Sequence, residues 1–471
     1  MESLAECAKG TLRRKKAELT QALQARISEH QRFMLRAFME DLEFVERKIA
    51  RIEETIRARM APHEEVINRL NTIPGVNQLT ASTLIAELGV QMQQFPDAMH
   101  LASWAGLCPG DCESAGKRKN TRTRKGNPHV RRVLCQAAWA AAHTKLDPER
   151  TLQEWVTHYP TTLRPKLNPR LQYGLLRGSF VPPQEIRELR ELTRYRVKLL
   201  GQRNQVHNRI EKLLQQANVK LSSVATDILG VTGRRILASL LGGNEDATSL
   251  ANCAKGTLRR KKDQLAQALQ AKLTIHQRFM LGEFLDDLKF VEGKIARVEE
   301  TIQARIAPHE EVLNRLNTIS GINRLTASTL IAELGVEMQQ FPDAMHLASW
   351  AGLCPGDCES AGKRKNTRTR KGNPHVRRVL CQAAWAAAHT KHSYPAALFY
   401  RIASRAGRNK ALIAVARHLI VIAYHLIREP VVYRDLGENY FDSLHAERTK
   451  RRLVRRLEGL GHEVILNRRH P

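Results

Sequence analysis

Two stretches of this chain repeat apolar residues in steps of four and three: Phe38, Leu42, Val45, Ile49, Ile52 and Ile56, then Phe284, Leu288, Val291, Ile295, Val298 and Ile302. This spacing keeps one stripe of a helix turned towards a partner, so it predicts coiled-coil helices, paired within the chain or between chains. An amphipathic helix packed on its own domain has the same pattern. Pro62 and Pro308 mark where these helices should stop. A third series, Ile186, Leu189, Leu192, Val197, Leu200, Val206, Ile210, Leu213 and Leu214, has helical spacing with charges between, and Pro182 and Pro183 stand where such a helix can begin. The longest apolar run, 411–427, is interrupted by Arg417, His418 and His425. It is too short and too charged to span a bilayer comfortably and predicts a buried helix, with no membrane partner.

The two heptad-like stretches belong to one duplication. Residues 3–145 match 249–391 in register, with mostly conservative changes; Val76 becomes Ile322, Arg47 becomes Gly293 and Pro74 becomes Ser320. A period this long means a duplicated domain and not a solenoid. Segment 181–241 precedes the second copy and has no counterpart before the first. After the second copy the chain continues through two helical stretches, 394–427 and 440–460, the latter with a basic run over 448–456. The pattern breaks over 146–173, where Pro148, Pro160, Pro165 and Pro169 suggest a junction. The expected organisation is a partial copy over 1–145, a junction over 146–180, long coiled-coil helices over 181–308, and a complete copy with a basic tail over 309–471. The fold class expected is mainly α, with little sheet.

Within each copy, 70–88 and 316–334 read as helix, tight turn, helix, with Gly75 and Gly321 at the corner. This resembles a helix-hairpin-helix, in which free amides and the positive end of the second helix hold a DNA phosphate. A plain helical corner fits as well, because Asn77 and Asn323 stand where that motif has a second glycine.

Charge sharpens the picture. The chain has 471 residues, a net charge of +29 and only 5% aromatic residues, and its cations come in blocks that recur at equivalent places. Such blocks point to a partner made of phosphates. The N-terminal sequence has no apolar core of the secretory kind, so a soluble intracellular protein with reduced cysteines is expected.

The densest block lies in a stretch repeated letter for letter, 101–142 and 347–388. Each copy places a serine, Ser114 or Ser360, before a series of cations. Behind Ser114 stand Lys117, Arg118, Lys119, Arg122, Arg124, Lys125, Arg131 and Arg132; behind Ser360 stand Lys363, Arg364, Lys365, Arg368, Arg370, Lys371, Arg377 and Arg378. Guanidinium forks grip phosphate at two points. A serine attacking a phosphodiester needs such donors together with a proton acceptor, although most serines in basic segments only hydrogen-bond locally. Cys108, Cys112, His129 and Cys135, repeated as Cys354, Cys358, His375 and Cys381, offer a zinc reading. The spacing of the first pair is unfavourable for it, and buried or loop cysteines are the default.

The run W-A-G-L-C-P followed by Ser, Gly and K-G-N-x-x-x-R-R-x-L, at 104–134 and 350–380, resembles the C-terminal domain of the insertion-sequence 116/110/902 transposase family. Further matches are 174–191, 208–214 and 433–441. The resemblance implies a DNA recombinase with an N-terminal RuvC-like domain carrying four acidic metal ligands, then a coiled coil, then a domain whose serine becomes covalently linked to DNA. Some members are guided by a structured bridge RNA. By this resemblance the nucleophile falls on Ser360 in the complete copy and on Ser114 in the partial one. The family's last two acidic ligands precede the G-L-L-R segment, but the residues before Gly174 are RPKLNPRLQY, without a carboxylate. The acidic site is therefore expected to be absent, with no cofactor in this chain and Mg²⁺ needed only for the missing RuvC-like part.

Three functions follow as expectations. The first is a transposase-type recombinase working by serine attack, defective without its metal site. The second is a non-catalytic nucleic-acid-binding protein that pairs with an intact transposase through the coiled coil, or with itself. The third is a scaffold with incidental charge. DNA is the expected partner, with a guide RNA as a further one.

Overall fold

The structure is a computed structural model that describes residues 27–108, 112–114, 117–120, 123, 125–143, 180–356, 358–360, 363–366, 368–444 and 446–465. In the strands around each serine, only the backbone is described. Arg122, Arg124 and the junction 146–179 lie outside the described residues. The chain divides into two compact units, Met1–Gly178 and Ser179–Pro471.

In the first unit, helix α1 (Glu29–Met60) begins at a Ser28–Gln31 capping box. The short helices α2 (Glu64–Asn71), α3 (Gln78–Leu88) and α4 (Ala98–Trp104) follow. A hairpin of β1 (Cys112–Ser114) and β2 (Lys117–Asn120) then leads into α5 (Pro128–His143). Among the described residues, Ile67, Val76, Ala81, Ile85 and Ala137 form one buried cluster and Leu84, Ala105, Val130 and Val133 another.

The second unit opens with α6 (Gln184–Gln216), followed by α7 (Leu221–Val224), α8 (Val231–Leu241), α9 (Ala247–Asn252) and α10 (Lys262–Ala268). The long helix α11 (Ile275–Ile306) runs back along α6. Its antiparallel direction is set by ion pairs whose numbers rise on one helix and fall on the other. Glu188 pairs with Arg305, Arg196 with Glu299 at 2.6 Å, and Arg203 with Glu292 at 3.0 Å. At 1.5 Å per residue each rod is about 50 Å long. The turn of the hairpin is filled by a helical cap, in which Ile210, Leu221, Ile236, Leu237, Leu250, Leu265 and Leu281 are fully buried.

The apolar seam of the sequence is the packing seam of this pair. Leu288, Val291, Ile295, Val298 and Ile302 are all buried, facing a stripe on α6 that includes Leu192, Tyr195 and Leu199. The expected α6 stripe is corrected at one place: Val197 and Leu200 are only half-buried, because the 3.6-residue period turns Tyr195 and Leu199 inward instead. In the first unit the same seam is open to solvent, with Leu42 at 50% and Ile49 at 49% of full exposure. We therefore expect Leu288→Ala to cost about 2–5 kcal/mol and Leu42→Ala less than about 1 kcal/mol. Denaturant unfolding of the two variants checks this, and equal losses would contradict it.

The remainder of the second unit repeats the first and adds to it. Helices α12 (Glu310–Asn317), α13 (Arg324–Leu334) and α14 (Ala344–Trp350) lead to strands β3 (Cys358–Ser360) and β4 (Lys363–Asn366), and then to α15 (Pro374–Ala388). The additions are α16 (Tyr394–Ala406), α17 (Arg408–Arg428), α18 (Tyr440–Leu444) and the arginine-rich α19 (Ala446–Glu458). Helix α17 is, among the described residues, long and apolar enough to cross a membrane. Its apolar face, including Ala411, Val415, Leu419, Ile420 and Ala423, is buried inside this unit, so it serves as a core helix. The architecture is mainly α, and the two short hairpins are its only sheet among the described residues.

Candidate nucleic-acid interface

Each serine closes a strand. In the second unit Ser360 is paired with Lys363 and Glu359 with Arg364, in an antiparallel ladder with a bulge between Cys358 and Glu359. The first unit repeats this, with Ser114 opposite Lys117 and Glu113 opposite Arg118. Only two residues separate the strands, so the serine stands beside the tip of a hairpin whose second strand is K-R-K-N. The sequence predicts little sheet and assigns no element to this stretch. The elements are three and four residues long and mostly charged, which hides the alternation that marks longer strands; the two-residue Ala-Gly connection was the available signal.

The hairpin is anchored at its base by glycine. Gly352 has φ +72°, and a Cβ on Gly372 would lie 2.2 Å from the Gly352 nitrogen. The backbones of the two ends therefore touch, and Asn373 N–H donates to the Trp350 carbonyl at 3.1 Å. The pair Gly106 and Gly126 does the same in the first unit. Pro355 and Thr369 form a further bridge above this contact.

Cations flank the base. Arg368, Arg370, Lys371 and Arg378 are exposed and Arg377 is half-buried; in the first unit Lys125, Arg131 and Arg132 are exposed. Of Arg118, Lys119, Arg364 and Lys365 the backbone lies in the hairpin's second strand. The sequence reading missed the cations on α16 and α17, where Arg401, Arg405, Arg408 and Lys410 are exposed. They are remote in sequence from the serine, and only the chain reversal at Gly407, φ +87°, gathers those at the helix ends.

Behind the hairpin a buried carboxylate sets the position of α15. Asn373 caps this helix by accepting from His375 and Val376 N–H, and its own amide donates to Glu333 Oε2 at 2.9 Å. Glu333 is 2% exposed and also receives both arms of Arg194, at 2.7 and 2.9 Å. Arg190 donates to the carbonyls of Ala332 and Glu333, each at 3.0 Å. Burial works to raise the Glu333 pKa, but the hydrogen bonds from Arg194 and Asn373 and the arginine charges bring it below the usual carboxylate value. In the first unit Asn127 meets Glu87 at 2.8 Å in the same way, but Glu87 is only half-buried.

The corner glycines have a packing role. Gly321 has φ +88°, and a Cβ there would come within 2.3 Å of the Ala383 carbonyl on α15; for Gly75 the distance to the Ala137 carbonyl is 2.1 Å. That contact by itself requires glycine. Asn323 caps α13 with its own side chain, accepting from Thr326 N–H at 2.8 Å, and Asn77 does so for α3 at 2.9 Å. A side chain thus already satisfies one amide at the helix start where a helix-hairpin-helix would hold a phosphate. Gly321→Ala is expected to destabilise the second unit by several kcal/mol, about 2–4, since both the space and the backbone conformation are lost; thermal unfolding tests it.

The change of Pro74 to Ser320 has a structural reason. Ser320 Oγ donates to Asp435 Oδ2 at 3.3 Å, and Asp435 Oδ1 accepts from Tyr394 N–H at 2.7 Å and Gly437 N–H at 2.8 Å. Asp435 thus ties the tail to the corner and to the start of α16, and the first copy has no such tail. Phe441 stacks on Tyr394 at 5.1 Å, with the Arg401 guanidinium over it at 4.8 Å.

No group of three His, Cys, Asp or Glu side chains among the described residues could hold a metal ion. Burial pushes the Cys381 thiol up against the influence of Arg377, and burial with Arg194 lowers His375. The side chains of Cys112 and Cys358 lie outside the described residues. The junction before Gly174, where the family's last two acidic ligands were sought, also lies outside the described residues.

Residues 67–153 and 313–401 match the model of the IS116/IS110/IS902 transposase family. The matched stretches span α2 to α5 in the first unit, and α12 to the first turns of α16 in the second. A Pseudomonas aeruginosa protein described as a probable family 20 transposase is 30% identical over 106 residues, which is 22% of this chain and 31% of that relative. The chain thus spans about a third of the length of the curated relative it matches. Both serine-bearing segments are similar to transposases.

Proposed function

We propose that the chain acts on DNA as a transposase-type protein, with the hairpin of the second unit presenting Ser360 to a phosphodiester. The observation that carries this reading is the pairing of Ser360 with Lys363 at the tip of a hairpin whose base is lined by Arg368, Arg370, Lys371, Arg377 and Arg378. In the step proposed, the Oγ–P bond forms while one bridging P–O bond breaks, and the hydroxyl proton ends on the departing oxygen. The arginines stabilise charge on the phosphoryl oxygens. Ser114 belongs to the same motif, with Lys125, Arg131 and Arg132 behind it, but without the helices α16 and α17. A structured guide RNA would meet the same phosphate-binding groups.

In this reading an intact relative supplies the carboxylates for strand exchange. The open seam on α1 favours this association: in the second unit an α6 helix covers the same residues, so an α6-like helix of a partner fits α1. Without such chemistry the chain is a DNA-binding regulator of intact transposase. The deciding experiment is covalent capture, in which labelled element-end DNA, magnesium and an intact family member are mixed with the protein and denaturant-resistant adducts are sought. Salt-sensitive binding without any adduct leaves the regulator reading in place. Each of Arg370→Ala and Arg378→Ala should reduce the slope of log K against log salt by about 0.9; an unchanged slope removes that residue from the interface.

A further inference from the structure

The second unit contains a pocket of about 970 Å³ between the base of the serine hairpin and the helices α15, α16 and α17. Its walls are of two kinds. Arg368, Arg377, Lys410 and Arg417 supply four cations, and no carboxylate is among the described residues that line it. Leu398, Ile413 and Ala414 supply an apolar face. A groove that only tracked duplex phosphates would need no apolar face, and a purely apolar ligand would not need the cations. A nucleotide displaced from its stack has both parts, a phosphate and a flat apolar base. The volume matches the upper range of single-ligand pockets, about 300–1,000 Å³, and is too small for a duplex.

We infer that this pocket receives one unstacked nucleotide of the DNA strand engaged by the Ser360 hairpin, with its phosphate against Arg377 and Lys410 and its base against Leu398 and Ile413. The inference rests on the DNA-acting reading given above. Asn409 and His418 also line the pocket and can address the base edge. Burial holds the His418 ring below its ordinary pKa, with Asp435 opposing, and the ring lies 4.9 Å from Tyr394. A neutral imidazole offers one donor and one acceptor. Arg417 is already turned along the wall, its Nη2 lying 3.6 Å from Met345 Sδ.

Position distinguishes this nucleotide from the one under attack. Pro355 and Thr369 line the pocket and pair with each other at the base of the hairpin. Ser360 is five residues further along the chain, at most roughly 17 Å away at about 3.4 Å per extended residue. The pocket therefore holds a nucleotide beside the scissile phosphate and not the one under attack. It also distinguishes the two copies, because α16 and α17 follow the second one alone. In keeping with this, Met99 is 69% exposed while its counterpart Met345, on the pocket wall, is 45% exposed.

The test is fluorescence anisotropy of the full chain with two labelled DNA duplexes, identical except that one carries a single unpaired base. The unpaired base is expected to tighten binding by at least about tenfold, a difference of the size one buried group supplies. Ala414→Trp fills the pocket without removing charge; it should erase the preference and leave affinity for the paired duplex within about twofold. Lys410→Ala alters an exposed side chain and should lower the salt slope for the unpaired duplex by about 0.9. Circular dichroism confirms that both variants remain folded. Equal affinity for the two duplexes, or a preference that survives Ala414→Trp, overturns the inference. Tighter binding of the same bulge in an RNA duplex overturns the assignment to DNA. If neither duplex binds in a salt-sensitive way, the DNA-acting reading itself fails; if both bind equally, only the pocket inference does.

Discussion

Ser360→Ala is expected to abolish covalent capture of element-end DNA, a loss of at least about 10³-fold, while salt-sensitive binding persists. Removing a nucleophile removes the bond-forming atom, and the phosphate contacts that remain supply only positioning. The arginines around the base of the hairpin do not depend on the hydroxyl, so affinity should change by less than about twofold. Ser114→Ala is expected to leave the adduct in place. Its hairpin repeats that of Ser360 in backbone pairing, but the described first unit has no pocket wall of the α16–α17 kind. Adduct yield measured with an intact relative, for each single variant and the double, decides the matter. Capture lost with Ser114→Ala and kept with Ser360→Ala would reverse the assignment of the working copy. Full yield from the double variant would remove the serines from the chemistry altogether.

The second large effect is expected at Glu333→Gln. The amide can still accept from Asn373, but it leaves Arg194 and Arg190 without their counter-charge. Breaking a buried pair costs about 3–5 kcal/mol; because Arg194 remains 42% exposed in its side chain, we expect about 2–4 kcal/mol. Glu87→Gln, at the equivalent place in the first unit, should cost no more than about 1 kcal/mol, since no arginine pair with Glu87 exists among the described residues. The dependence on pH follows from the sign of the shift. The Glu333 carboxyl is held below its ordinary value of 4.5, so its contribution is present above that pH. It is lost as pH falls through the lowered folded-state value. Unfolding at pH 7 and in acid, for wild type and Glu333→Gln, checks both: the two curves should converge in acid. A gap that stays constant down to acid pH would refute the linkage.

These expectations separate what was legible in the sequence from what was not. The seam through Leu288, Val291, Ile295, Val298 and Ile302 was plain because its period is that of a buried helix face. The sequence left open what would cover it, and in the second unit the cover is α6. Tyr195 and Leu199 replaced Val197 and Leu200 locally, because 192, 195 and 199 keep the three-and-four step on one helix face whereas 197 stands five residues from 192. The serine and its basic block were conspicuous as a repeated stretch, but the hairpin was not, since its strands are short and charged. Gly75 and Gly321 fitted a phosphate-holding corner and a plain helical corner equally well; the close approach of α5 and α15 that requires glycine there is a long-range contact. Lys410 escaped notice, and Arg417 counted only as an interruption of an apolar run, for the same reason, since the fold alone brings them to the base of the hairpin. The exchange of Pro74 for Ser320 became intelligible only when Asp435 arrived from the tail, 115 residues away in sequence.

The exact repetition of 101–142 as 347–388 has a use beyond function. Two identical sequences sit in one molecule with different neighbours: Ala138 and Ala142 are exposed on α5, while Ala384 and Ala388 are buried on α15 beneath the added helices. Native-state amide exchange at matched positions, such as Val130 and Val376, both fully buried, then compares local opening with every intrinsic propensity held constant. RT times the logarithm of the ratio of the two protection factors is the free energy that tertiary surroundings alone confer on this stretch, measured in a single sample without a mutation.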